Sequence, residues 1–379
     1  MTPRAIIALL LSIIGGQFLA WIYFQWGANQ SAEKKARSAP APALSFNARL
    51  FDQWKLPATS PLEAKAEEAK LRARIQSLLQ NLSDGRTTAG ELAALETDLT
   101  AAPRTAATAS IVEFLTNGLD APTGDEFSPG DGRLEHSPSL RIFLLDLLGR
   151  LARENDRPEA SALARNVLEH SDSADEWVIA LRNLAWQQSK NRALLAEKIR
   201  ALLTKPEWLA NPTAGFIHAL DIVPALADPT LLPLLESLLA GSNADLQQAA
   251  ANSIERLAEA APLEVMTLLI QRPLLLKDQP QTRADAFAKA NLVNATQRRA
   301  VESYLTRSDV GTDEKSRFLR RLAVPTTFLG DSLTGRSSAP PEPAIHAART
   351  LPAVRDWMSD PRFVSLQPEL QALEKRLQP

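Results

Sequence analysis

Beyond Thr88 the chain alternates stretches of helical apolar period with short polar breaks, and this recurrence limits the available folds more than any single motif does. Helices expected to begin near Ser137, Asp175, Thr213, Asp245, Thr282 and Asp313 follow one another at offsets of about 31 to about 38 residues, the spacing of stacked helical hairpins. Between them lie the helical segments PEASALARNVLEH, NRALLAEKIRALL, DPTLLPLLESLLAG, APLEVMTLLIQ and TQRRAVESYLT. One such hairpin cannot bury its apolar face alone, so stacking must supply the core. Composition agrees: the chain has only two tyrosines and 15 glycines beside abundant leucine and alanine, which favours helix over sheet.

The clearest unit runs from Asp228 to Pro262. Asp228 and Pro229 open its first helix, and Leu231, Leu232, Leu234, Leu235, Leu238 and Leu239 fill the apolar face. Leu246, Ala250, Ser253, Ile254 and Leu257 line its second helix. This stretch resembles a HEAT repeat, and the resemblance extends with decreasing fidelity over residues 107–324. It departs at Gln247, where many HEAT units carry an arginine; that departure and the uneven offsets leave a TPR-like or generic helical-hairpin array open. The resemblance implies an all-α fold, a helical-hairpin α-solenoid whose extended surface binds a protein or peptide partner.

At the amino terminus, Ala5 to Trp26 carries no charge over about 22 residues, enough at about 1.5 Å per residue to span a hydrocarbon core. A cleaved signal peptide is the competing reading, but no clean small-x-small site follows. Trp21, Tyr23 and Trp26 suit a headgroup layer. Arg4 stands against Lys34, Lys35 and Arg37, so charge alone slightly favours a cytoplasmic body, whereas a lone export-like anchor favours a periplasmic one. The expectation is a single-pass membrane protein with its body outside the cytoplasm. Ala8, Ser12, Gly16 and Ala20 share one face and offer a seam for self-association beside the polar Gln17, although small residues are common in membrane helices.

The expected organisation is therefore a transmembrane signal anchor over 1–27, a Pro/Ala-rich linker over 28–44 and capping helices over 45–106. HEAT-like repeats over 107–330, a linker or turn over 331–350 and a C-terminal helical cap over 351–379 complete it. Phe46, Leu50, Phe51 and Trp54 suggest a short amphipathic segment ahead of a capping box at Ser60, Pro61 and Glu63. Leu71, Ile75, Leu78, Leu79 and Leu82 then mark the buried face of a long helix.

Chemistry is sparse in this sequence. A net charge of -2 leaves no positive excess for a polyanion, so nucleic acid is not an expected partner. Cysteine is absent. FLGDSLTG, Phe328 to Gly335, resembles the nucleophile motif of GDSL-type hydrolases. In that family the motif follows a first strand, with an Asp-x-x-His pair much further on. Here a helical segment precedes it, and His346, the only later histidine, has no aspartate three residues before it. Ser332 is read as part of a turn ending the repeats, with Phe328 and Leu329 packed on the last helix, and the chain as a non-enzyme with no catalytic, cofactor or metal residues; a hydrolase built on Ser332 is the alternative. His136, His170, His218 and His346 stand too far apart to suggest a metal site. The GDEFSPGDGRLEH segment lacks the lysine of a phosphate loop and reads as a mobile surface loop rather than a partner-contacting insertion. Trp177, Trp186 and Trp208 read as core residues before binding anchors.

Overall fold

The computed structural model describes residues 61–86, 89–153, 158–187, 191–325, 332–335 and 342–378. The chain divides into two compact units, Met1–Thr59 and Ser60–Pro379, and the first lies outside the described residues. So do the apolar run Ala5–Trp26, the Ala8–Ala20 series and the Phe46–Trp54 segment.

Among the described residues no helix is long and apolar enough to cross a membrane. This finding corrects the expectation of a transmembrane signal anchor and, with it, of a single-pass protein with a periplasmic body. The physical reason is visible in the longest described helix, α1 (Pro61–Ser83). It carries Glu63, Lys65, Glu67, Glu68, Lys70, Arg72 and Arg74 around a single apolar stripe, so it buries one face and leaves the other in water.

The described body is helical, interrupted by one short hairpin. After α1 come α2 (Ala89–Ala101) and α3 (Arg104–Thr116), then strands β1 (Ser128–Gly130) and β2 (Arg133–His136). Helices α4 (Leu140–Arg153), α5 (Pro158–His170), α6 (Ala174–Gln187), α7 (Arg192–Leu203), α8 (Pro206–Ala210), α9 (Ala214–His218) and α10 (Val223–Leu226) follow. The next are α11 (Leu232–Leu239), α12 (Ala244–Ala260), α13 (Pro262–Gln271), α14 (Pro280–Phe287), α15 (Ala295–Thr306) and α16 (Thr312–Leu322). The C-terminal pair is α17 (Pro343–Ser359) and α18 (Gln367–Leu377).

The numerous prolines fit this fold because of where they stand. Pro61, Pro158, Pro206, Pro262, Pro280 and Pro343 each occupy the first position of a helix, where a missing N–H removes no helical bond. Side-chain caps set other starts: Thr213 accepts from the amide of Phe216, Asn243 from that of Leu246, and Asn294 from those of Thr296 and Gln297.

Packing follows chain order. Helices α3, α4, α6, α9, α12, α14, α16 and α18 touch in succession, with α5, α7, α11, α13, α15 and α17 laid against them. The starts read from sequence fall close to the first residues of α4, α6, α9, α12, α14 and α16, the widest difference being Ser137 against Leu140. One apolar core runs from Leu71 in α1 to Leu377 in α18. In the Asp228–Pro262 unit, Leu231, Leu232, Leu235, Leu238 and Leu239 are buried against Leu246, Ala250, Ile254 and Leu257.

Candidate functional site

Two polar constructions stand out from the apolar core. The first is centred on Asp146, which lies inside the apolar run of α4 and is buried. Its Oδ1 accepts from Arg182 Nη1 at 2.6 Å and from the backbone N–H of Leu134 in β2 at 3.1 Å, and its Oδ2 accepts from Arg150 Nε at 2.9 Å. Arg150 also donates to Glu96 of α2 at 2.7 Å. One carboxylate thus joins α2, α4, α6 and the hairpin. Burial depresses the pKa of Arg182, and Asp146 opposes that shift. At Arg150 burial works in the same depressing direction, but Asp146 and Glu96 outweigh it and raise the pKa.

Trp186, in the last turn of α6, lies with the Arg153 guanidinium 4.7 Å and the Arg182 guanidinium 4.2 Å from its ring centre. Its indole Nε1 donates to the carbonyl of Thr334 at 3.2 Å. The turn Ser332–Gly335 therefore sits on α6 and the hairpin, where the amide of Gly132 donates to the Ser332 carbonyl at 2.8 Å. The packing expected on the last repeat helix is that of Phe328 and Leu329, not of this turn. Phe328 and Leu329 lie outside the described residues. The GDEFSPGDGRLEH segment likewise proves to hold β1 and β2, paired antiparallel about an Asp131–Gly132 turn, rather than an unstructured loop. Phe127, at its base, is buried with its ring 6.2 Å from that of His218.

The second construction is a band of paired charges running across α12, α14 and α16. Glu255 meets Lys289 at 2.6 Å and Arg321 at 2.5 Å; Asp285 meets Arg317 at 2.6 Å and Arg321 at 3.3 Å. Arg321 thus reaches past α14 to α12. The band continues through Arg256 and Asp221, 2.7 Å apart, to His218 at 3.3 Å from Asp221. Burial opposes the charge of Glu255, but Lys289 and Arg321 outweigh it and lower its pKa; at Glu259, one turn on, burial prevails over Lys289 and raises it. Beneath the band, Arg283 makes a two-pronged pair with Glu314, both bonds 2.7 Å, and Tyr304 donates to the same carboxylate at 2.8 Å. Tyr304 stacks on Phe287 with ring centres 3.9 Å apart, and its pKa is raised by burial and then by Glu314.

The other residues singled out from sequence take these places. Trp208 is buried edge-on to Trp177, ring centres 5.4 Å apart, so the two form part of the packing between α6 and α8. His346 Nε2 lies 2.8 Å from the carbonyl of Leu322 at the end of α16, His170 Nδ1 lies 3.0 Å from the carbonyl of Asn166, and His136 lies 3.9 Å from Asp125. Among the described residues no three His, Cys, Asp or Glu side chains group to hold a metal ion. A cavity of about 430 Å³ opens between α7 and the α11–α12 corner, floored by Leu203, Leu238 and Leu246, and one of about 290 Å³ lies between α16 and α18. Sequence reasoning passed over Asp146 and Arg182. Their signal was a charge in the middle of an apolar run, in LRIFLLDLLGRLAR and VIALRNLAW.

No family model, curated protein or solved structure matches this chain.

Proposed function

We propose that the body is a HEAT-like helical-hairpin α-solenoid acting as a non-catalytic protein-interaction scaffold. The observation that carries this reading is the band of charges on α12, α14 and α16, laid on consecutive helices of the stack. A stack of this kind presents its helices side by side as one extended face, the geometry that repeat proteins use for binding. Alternation of sign along the face suits a partner with patterned charges of its own rather than a polyanion.

The test is capture of partners by the purified full-length chain and by an Arg317→Glu, Arg321→Glu variant, with Arg299→Glu as a control on exposed α15 surface. The reading expects a saturable partner protein lost on reversal of the band and retained by the control. Circular dichroism must show unchanged helix content, and Arg321→Gln supplies a milder arm. A partner bound equally by all variants would overturn the assignment to this face, and turnover of short-chain esters abolished by Ser332→Ala would overturn the non-catalytic reading.

A further inference from the structure

The turn Ser332–Gly335 is held by Gly132 and Trp186, about 150 to 200 positions earlier in the chain. Leu333 is 0% exposed and belongs to the core, and Thr334 is 1% exposed. Gly132 and Gly335 meet backbone to backbone, each at positive φ, 80° and 65°. A Cβ on Gly335 would stand 2.9 Å from the Gly132 Cα, and one on Gly132 would stand 3.0 Å from the Gly335 Cα.

We propose that the β1–β2 hairpin and the C-terminal turn of α6 form a receptor site for a short peptide turn, filled in cis by Ser332–Gly335. The receiving half is braced without help from the turn. Asp146 fixes both the hairpin, through the Leu134 amide, and Arg182, and Arg182 with Arg153 positions the Trp186 ring. What this half reads is specific in kind: two backbone carbonyls, to which Gly132 N–H and Trp186 Nε1–H donate, one leucine-sized apolar side chain, and a glycine that allows close backbone approach. The ligand class is therefore a peptide of the pattern Ser-Leu-Thr-Gly. The serine of the hydrolase-like motif contributes its carbonyl to this contact. The inference stands apart from the scaffold reading, since it uses none of the residues of the charge band on α12, α14 and α16 and its occupant is already in the chain.

The experiment uses hydrogen exchange on the full chain, wild type against Leu333→Asp, with and without an excess of the synthetic peptide LGDSLTGR. Vacating the site should raise exchange over residues 128–136 by about tenfold or more while residues 244–260 keep their protection. The peptide should restore protection to the variant, and the same peptide with aspartate in place of its second leucine should not. Wild type should not respond to either. If Leu333→Asp does not fold, Gly335→Ala provides the milder opening, because its Cβ has no room against Gly132. Hairpin exchange unchanged by either substitution would overturn the proposal. So would lost protection that the peptide fails to restore, or a wild-type dimer in solution whose hairpin is protected only at high concentration, since the occupant would then come from a second copy.

Discussion

At the scale of single residues, Asp146 is a structural anchor, because Arg182 is fully buried and pairs with it. Asp146→Ala leaves that guanidinium without its counter-charge and frees the Leu134 amide, and it should destabilise the protein by about 3–5 kcal/mol. Replacing Asp146 and Arg182 together by apolar residues should cost far less than the sum of the single changes, which a double-mutant cycle in urea would measure. A single change costing under about 1 kcal/mol would refute the dependence. Glu255 and Glu259 provide a pH-dependent counterpart. With its folded pKa lowered from 4.5, Glu255 adds stability that is present above the usual carboxylate range and lost as pH falls through the folded value. Glu259, raised from 4.5, binds its proton more tightly when folded, so stability falls as pH climbs from 4.5 through its folded value. Carboxyl NMR titration should separate the two, and Lys289→Met should move both upward. Coincident titration curves in the wild type would count against the arrangement. These residues were only half legible in the sequence. A charge inside an apolar run announces burial, but the partner lies 36 positions away in the case of Asp146 and Arg182, and spacing does not name it.

At the scale of elements, helix starts were legible because their determinants are local. Asn243 illustrates this: its side chain caps α12 by accepting from Leu246, and Asn243→Ala should cost about 0.5–2 kcal/mol in thermal or urea unfolding with little change in contacts elsewhere. The hairpin was legible in one half only. Asp131 and Gly132 both have positive φ, 50° and 80°, as a two-residue hairpin turn requires, and Asp-Gly is a strong signal for such a turn. Yet Ser-Pro-Gly before it and Arg-Leu-Glu-His after it lack the alternating apolar pattern by which strands announce themselves. Only Leu134 of those residues is buried, so tertiary support from Asp146 does what cross-strand apolar pairs normally do. Gly149 was not flagged at all, because its constraint comes from another helix. A Cβ there would enter the side-chain amide of Asn183, which donates to the Leu145 carbonyl at 2.9 Å and accepts from Arg182. Gly149→Ala should therefore lower stability by about 1–3 kcal/mol although alanine is the better helix former. A stabilised Gly149→Ala protein would show that Asn183 yields without cost.

At the scale of the whole described body, the order of contacts sets how the molecule should unfold. Helices that touch mainly their neighbours along the chain exchange little energy over distance, so a helical body packed in this way is free to lose structure piecewise. Among the described residues the contact of Ser332–Gly335 with the hairpin and Trp186 stands out, joining positions about 150 to 200 residues apart. A link of that length couples the N-terminal half of the described body to the segment between α16 and α17, and coupling of this kind makes separate transitions merge. In wild type, urea transitions followed by tryptophan fluorescence and by far-ultraviolet circular dichroism should coincide. Of the four described tryptophans, Trp177, Trp186 and Trp208 lie in α6 and α8 and Trp357 lies in α17, so fluorescence is weighted toward the first half, whereas circular dichroism reports on every helix. Leu333→Ala removes the buried anchor of the link, at a local cost of about 2–5 kcal/mol. If the link supplies the coupling, the two transitions should part in the variant. A variant that loses stability while its transitions remain superimposed would mean that neighbour contacts alone already make the helical body cooperative, and that the turn adds stability to the hairpin without joining the two halves.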